Sequence, residues 1–312
     1  MKSVFTLNLL LFVFGFSAQA QLLPFMTHHE ANSFLVNPAI PVVHRVINPG
    51  TGGFQYRQVV AMTYRDQWWA FGEYRPRTYT ATYQRYLKPS DYGVDFWAGG
   101  YLFSDRIGTS NLTGGYTTFS AHKDLGYDQH LYAGLSLGLA QFAVRNSLLS
   151  TTEPGDIGLT LSDKTEFYLD PGLGVFYTNQ AYYAGFSIPK IVGLTANGSR
   201  ERLHHYYFLF GTTLARRVGP FQSIEPYLWL RMIRNAAAQM DMNLRMTFNS
   251  RIPFWVTLGV DNTVAVHGNI GIITPVQQGK ADLRIGFGYD NRITLVNQLG
   301  GGLEVSVGWL MR

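Results

Sequence analysis

Two pairs of adjacent histidines, His28-His29 and His204-His205, bring metal-binding side chains close together in this chain. A zinc site takes three or four nitrogen, oxygen or sulfur ligands. Neighbouring side chains on a strand point to opposite faces, so His204 and His205 cannot hold one ion together. His28 and His29 have no acidic or thiol partner at ligand spacing, and no metal is expected at either pair. Asp241, Asp282 and Glu304 fall on the same inferred strand faces as Arg245 and Arg284. Such groups could work as a general acid and base. The expectation is that they form charge pairs in a polar interior. Gly172-Leu173-Gly174 and Gly286-Phe287-Gly288 have glycine spacing reminiscent of a nucleotide loop, but each lies inside an alternating run with no helix after it. No G-x-S-x-G nucleophile motif occurs. No catalytic residue and no cofactor are therefore expected. The aromatic run Trp68-Trp69-x-Phe71 suits either an interfacial girdle or an anchor for a protein partner.

These residues are carried on segments that alternate with a period of two, the strand signal. Gln239 to Phe248 puts Met240, Met242, Leu244, Met246 and Phe248 on one face, opposite Gln239, Asp241, Asn243, Arg245 and Thr247. Phe254 to Asp261, Ala281 to Asp290 and Leu303 to Trp309 separate in the same way. Strands of soluble proteins average about 5–6 residues. The longer of these runs approach ten, the length of a tilted strand crossing a bilayer. Their polar faces carry both signs of charge, as a water-facing lumen requires.

Composition agrees. Charged residues make up 14%, aromatics 15%, and there are 33 glycines and no cysteine. Low charge with many aromatics and glycines suits barrel strands with interfacial girdles. The net charge of +5 is not gathered into a Lys/Arg stripe, so nucleic acid is not an expected partner. Lys2, the apolar run from Val4 to Phe16 and the small residues around Ala18-Gln19-Ala20 read as a secretory signal peptide, residues 1–20. After Gln21 every apolar stretch is interrupted by polar residues or glycine. A membrane chain without apolar helices must cross as a closed barrel, since lipid offers the backbone no other partners.

The fold expected is therefore all-β, a transmembrane antiparallel β-barrel of about fourteen strands over residues 54–312. Strands are expected at 54–65, 78–87, 93–104, 112–122, 129–144, 166–178, 181–188, 204–216, 222–234, 238–248, 253–260, 263–273, 281–289 and 302–311. With a periplasmic amino end, loops after odd strands face outward. The long connections 66–77, 145–165, 189–203 and 290–301 all follow odd strands, although 235–237 and 261–262 are short. Residues 21–53, irregular and rich in proline and glycine, are expected to act either as a periplasmic leader or as a plug for the barrel.

Several segments resemble the PorP/SprF family. Asn37-Pro38-Ala39 followed by Tyr64-Arg65-Asp66-Gln67-Trp68 is similar to its amino-terminal signature. Asp170 to Tyr177 and Tyr183 to Pro189 resemble its glycine-rich hairpin, and Leu283 to Asp290 its late "GYGYD" segment. The sequence departs from the family pattern at Gly300-Gly301-Gly302 before Glu304 and at its Leu310-Met311-Arg312 end. The resemblance implies a non-enzymatic outer-membrane barrel of the type IX secretion system, with no cofactor. It implies partners in outer-membrane lipid, type IX translocon proteins and the C-terminal domains of secreted clients, adhesins of gliding motility among them. Asn37, Pro38, Tyr64, Arg65, Gln67 and Trp68 are the partner-binding residues it points to. The alternative is a general porin or solute channel, suggested by the mixed-charge lumen face.

Overall fold

The computed structural model describes residues 26–40, 56–87, 93–148, 162–191, 193–195, 200–201, 205–233, 237–262, 265–292 and 300–312. The expected signal peptide, residues 1–20, lies outside the described residues, as does residue 204. Among the described residues, one helix, α1 (His29–Val36), precedes the sheet. The strands are β1 (Gln58–Gln67), β2 (Arg77–Leu87), β3 (Val94–Ile107), β4 (Ser110–Gly126), β5 (Gln129–Val144) and β6 (Lys164–Thr178). They continue with β7 (Tyr182–Ile188), β8 (Gly193–Thr195), β9 (Arg200–Glu201), β10 (His205–Thr212), β11 (Ala215–Val218) and β12 (Phe221–Ile233). The last are β13 (Gln239–Phe248), β14 (Phe254–Asp261), β15 (Ala265–Val276), β16 (Ala281–Arg292) and β17 (Gly302–Met311).

All pairings are antiparallel, and β1 pairs with both β2 and β17, so the sheet closes on itself. Fourteen strands form the wall. The short β8, β9 and β11 are accessory: β8 pairs with β6 and β9, and β11 pairs with β12. Closure leaves no open edge, which is what lets a sheet sit in hydrocarbon.

The alternation is used as the sequence requires. Along β5, Leu131, Leu135, Leu137 and Leu139 are 42–63% exposed, while the alternating Tyr132, Ser136 and Ala140 are buried. Phe167, Phe210, Leu258, Ile270, Phe287 and Val307 extend this apolar outer face around the wall. So large an apolar surface belongs in lipid. Aromatic pairs ring both ends on the outside. Tyr64–Tyr79 and Trp69–Tyr289 lie at one end, and Phe96–Phe119, Tyr177–Tyr182 and the stacked Phe248–Phe254 at the other. This is the girdle arrangement that interfacial aromatics favour.

Three strand expectations change in detail. The segment expected at 112–122 is the longest strand, Ser110–Gly126, because β4 and β5 run on as a hairpin closed by Tyr127 and Asp128. Both turn residues have positive φ (53° and 57°), the conformation a tight two-residue hairpin demands. The single strand expected at 204–216 is broken into β10 and β11, since Thr213 leaves the β10–β12 ladder and donates to Ala181 O. The first strand starts at Gln58, not at 54. The long connections 68–76, 145–163, 189–204 and 293–301 all leave the same end of the barrel.

Candidate functional site

Residues 26–40 run through the lumen, enclosed by the wall. Helix α1 is about 12 Å long at 1.5 Å per residue. An isolated helix this short is unstable in water, so the wall must supply what the helix lacks. It does so at both ends.

At the amino end the acceptor is Glu304 of β17, completely buried. Its Oε2 accepts the Thr27 amide at 2.6 Å and the Thr27 hydroxyl at 2.9 Å, and its Oε1 accepts the His28 amide at 3.0 Å. A carboxylate at a helix amino terminus satisfies orphan N–H groups and opposes the positive end of the dipole. Arg65 of β1 balances the charge, its Nη1 donating to Glu304 at 2.9 Å and its Nη2 to Asp290 of β16 at 2.7 Å. Asn32 donates to His28 O and to Glu304 Oε1, and accepts from Thr80 of β2. The His28 side chain is buried against the wall at Gly286.

At the carboxyl end two of the last helical carbonyls are capped from the wall. Tyr101 donates to Leu35 O at 3.3 Å and Ser187 to Val36 O at 2.7 Å. Asn37 then turns the chain, its Oδ1 accepting the Ala39 amide at 2.9 Å. Its Nδ2 donates to Val175 O and Phe186 O, a cross-strand pair of β6 and β7. On one flank of α1, Phe34 and Leu35 pack with Tyr101, Phe103, Tyr116 and Trp97. Beyond it, Ala39 and Ile40 pack with Tyr132, Phe176, Tyr183 and Trp229.

Glycines make the room. A Cβ on Gly174 would lie 2.0 Å from Asn37 Oδ1, and one on Gly134 2.4 Å from the Pro38 carbonyl carbon. A Cβ on Gly288 would meet Thr27 Oγ1 at 2.2 Å, and one on Gly286 would meet His28 at 2.6 Å. Of the glycine pairs that suggested nucleotide loops, Gly174, Gly286 and Gly288 thus clear the lumen wall where the amino-terminal segment docks, while a Cβ on Gly172 would instead meet Ser136 and Pro189.

The six residues singled out as partner-binding divide. Asn37, Pro38 and Arg65 are buried in the lumen and belong to this docking network. Tyr64 is on the outer face against Tyr79, with its hydroxyl donating to Asp66. Gln67 and Trp68 stand at the rim, where Trp68 adopts a left-handed backbone and donates its amide to Gly301 O. Trp69 and Phe71 beside them are 47% and 50% exposed.

The lumen carboxylates pair, but with partners other than the two arginines on their inferred faces. Glu304 has Arg65, Asp282 has Arg312 and Tyr56, and Asp241 has His29 and His267. Arg245 and Arg284 instead lie over the ring of Trp255, at 5.2 and 4.6 Å from its centre. His29 therefore does have an acidic partner, brought from β13 by the fold and beyond the reach of local spacing.

No curated protein sequence matches the chain. Among solved structures, it resembles the TodX monoaromatic hydrocarbon channel (a deltaS2 mutant) with 9% identity and a TM-score of 0.53, covering 90% of this chain and 94% of that one. The CymD monoaromatic hydrocarbon channel is similar at 8% identity and TM-score 0.53, covering 90% and 92%. At such identity the likeness is one of fold alone, the outer-membrane β-barrel. Residues 18–309 match the family described as type IX secretion system membrane protein PorP/SprF, and the chain belongs to that family. Neither the family nor the fold is that of a known enzyme class.

Proposed function

We propose that this PorP/SprF protein acts in the outer membrane as a non-enzymatic accessory barrel of type IX secretion, assisting export or surface delivery of client proteins. Surface adhesins, including those of gliding motility, are the client class the family suggests. The observation that carries the reading is family membership across residues 18–309, joined to a lumen crossed by the amino-terminal segment. A general porin needs a water path through the barrel. Residues 26–40, docked at Glu304 on one side and at Val175 and Phe186 on the other, favour a barrel that presents surfaces.

In this reading residues 1–20 are removed on export, residues 21–53 contain the lumen plug, and 54–312 form the barrel. Asn37, Pro38 and Arg65 serve partners indirectly, by keeping the plug seated. Contact with translocon proteins or client C-terminal domains falls to the rim, at Gln67 and Trp68 with the exposed Trp69 and Phe71. Exposed aromatics of this kind are common binding anchors.

The test is a deletion strain complemented with the wild-type chain or with Trp69→Ala/Phe71→Ala. Loss of client at the cell surface on deletion, and co-purification of a type IX translocon protein with the wild-type chain, are expected. Normal client secretion without the protein, together with a steady open conductance of the purified barrel in planar bilayers, would establish the porin instead.

A further inference from the structure

His29 of α1, Asp241 of β13 and His267 of β15 bring one ligand atom each to within 4.8 Å of one another. His29 Nε2 lies 2.8 Å from Asp241 Oδ2, and His267 Nε2 lies 3.3 Å from Asp241 Oδ1. Two donors bound at ~2.0 Å to a tetrahedral ion stand about 3.3 Å apart. Each imidazole already lies near that distance from one oxygen of Asp241, and with all three ligand atoms within 4.8 Å of one another side-chain adjustments of roughly an ångström would bring them onto one ion. The three side chains are nearly closed off from water, at 12%, 4% and 1% exposure.

A second feature is built around this cluster. Asn243, Gly259 and His267 pair in register across β13, β14 and β15. Gly259 occupies the inward position between the other two, and His267 reaches across it to Asn243 Oδ1 at 2.9 Å. A Cβ at Gly259 would lie 2.2 Å from His267 Nε2 and 2.4 Å from Asn243 Oδ1. The wall is cleared at the place where an imidazole must cross a strand to join the carboxylate.

We propose that His29, Asp241 and His267 bind one divalent transition-metal ion, zinc or a cation of similar chemistry, which ties α1 to β13 and β15. Two imidazoles and one carboxylate leave a coordination position for water or Asn243 Oδ1, a donor set that suits such ions. The ion would thus lock the plug of the preceding section, yet its binding is measurable whether or not the protein serves secretion.

The full chain, purified in detergent without a histidine tag, is stripped with a chelator and reloaded with Zn²⁺. Bound metal is then counted by mass spectrometry after gel filtration. The wild type is expected to keep one zinc per chain and to unfold at a higher temperature with zinc than with chelator. His29→Gln, His267→Gln and Gly259→Ala should weaken binding at least tenfold, while His205→Gln, a buried lumen histidine outside the cluster, should not. Folded barrel is verified by heat-modifiable gel mobility. The proposal is overturned if the wild type keeps no stoichiometric zinc and shows no zinc-dependent shift in unfolding. It is equally overturned if His29→Gln and His267→Gln bind as well as wild type, or if His205→Gln loses zinc as they do.

Discussion

Replacing Glu304 by Gln should unseat the amino-terminal segment while leaving the barrel intact. The size of the effect follows from which bonds change on undocking. Arg65 is itself part of the wall, so its ion pair with Glu304 persists whether or not the segment is docked, and it also keeps Asp290. What undocking loses is the set of bonds from the segment: the Thr27 amide and hydroxyl, the His28 amide and the Asn32 side chain. Hydrogen bonds to a charged acceptor contribute about 1.5–3 kcal/mol each. Glutamine has a single acceptor oxygen, and its NH₂ would face either the Thr27 or the His28 amide, donor against donor. Losing the charge at one bond and orphaning one amide comes to about 3 kcal/mol, a factor of ~10² in the docking equilibrium.

The chain has no cysteine, so one can be introduced cleanly. Ala31 is buried on α1 and small enough for Cys to replace. With opening fast relative to modification, the rate of maleimide labelling at Ala31→Cys follows the undocked population. Glu304→Gln should raise that rate about a hundredfold in protein that still migrates as a folded barrel. A rise of less than about threefold, under 1 kcal/mol, would refute Glu304 as the anchor.

Gly174→Val should release the same segment without altering any charge, since the new Cβ lies 2.0 Å from Asn37 Oδ1; labelling at Ala31→Cys should rise at least tenfold, and an unchanged rate would mean the wall yields instead. Leu135→Arg places a charge on the outer face of β5, where Leu135 is 63% exposed to lipid; near the bilayer midplane it should cost about 2–4 kcal/mol in urea unfolding from vesicles, whereas no change in midpoint would mean this face does not meet hydrocarbon.

The strands were legible because two solvents write them. Lipid requires an apolar residue at each outward position and the lumen tolerates a polar one inward, so the period of two persists through Met240 to Phe248 and Leu303 to Trp309. Legibility fails where one solvent stops selecting. The β4–β5 hairpin continues past the membrane to Tyr127, which is 97% exposed, so the expected end at residue 122 fell short of Gly126. Near residue 213 the register of the chain against β12 shifts, and nothing in its alternation announces the break.

The docking site was illegible for a different reason. Its contacts join residues far apart in sequence, Thr27 with Glu304 and Asn37 with Val175 and Phe186, so no local spacing could expose them. Each motif carries half of a contact. Asn37-Pro38 is a turn without a visible purpose until Gly134 and Gly174 are seen to admit it, and Gly286 and Gly288 are gaps in a strand until Thr27 and His28 fill them. Glycine weakens a strand interior, and a wall that needed only to close would have little use for it at these inward positions. Their cost is offset by the bonds the inserted segment makes. The same reasoning covers Gly259, which admits a histidine of the wall itself to the carboxylate beneath His29. If the amino-terminal segment served only to reach the barrel, these clearings would be a loss of stability with no return. Their placement against Thr27, Asn37 and His267 argues that the segment and its wall work as one unit.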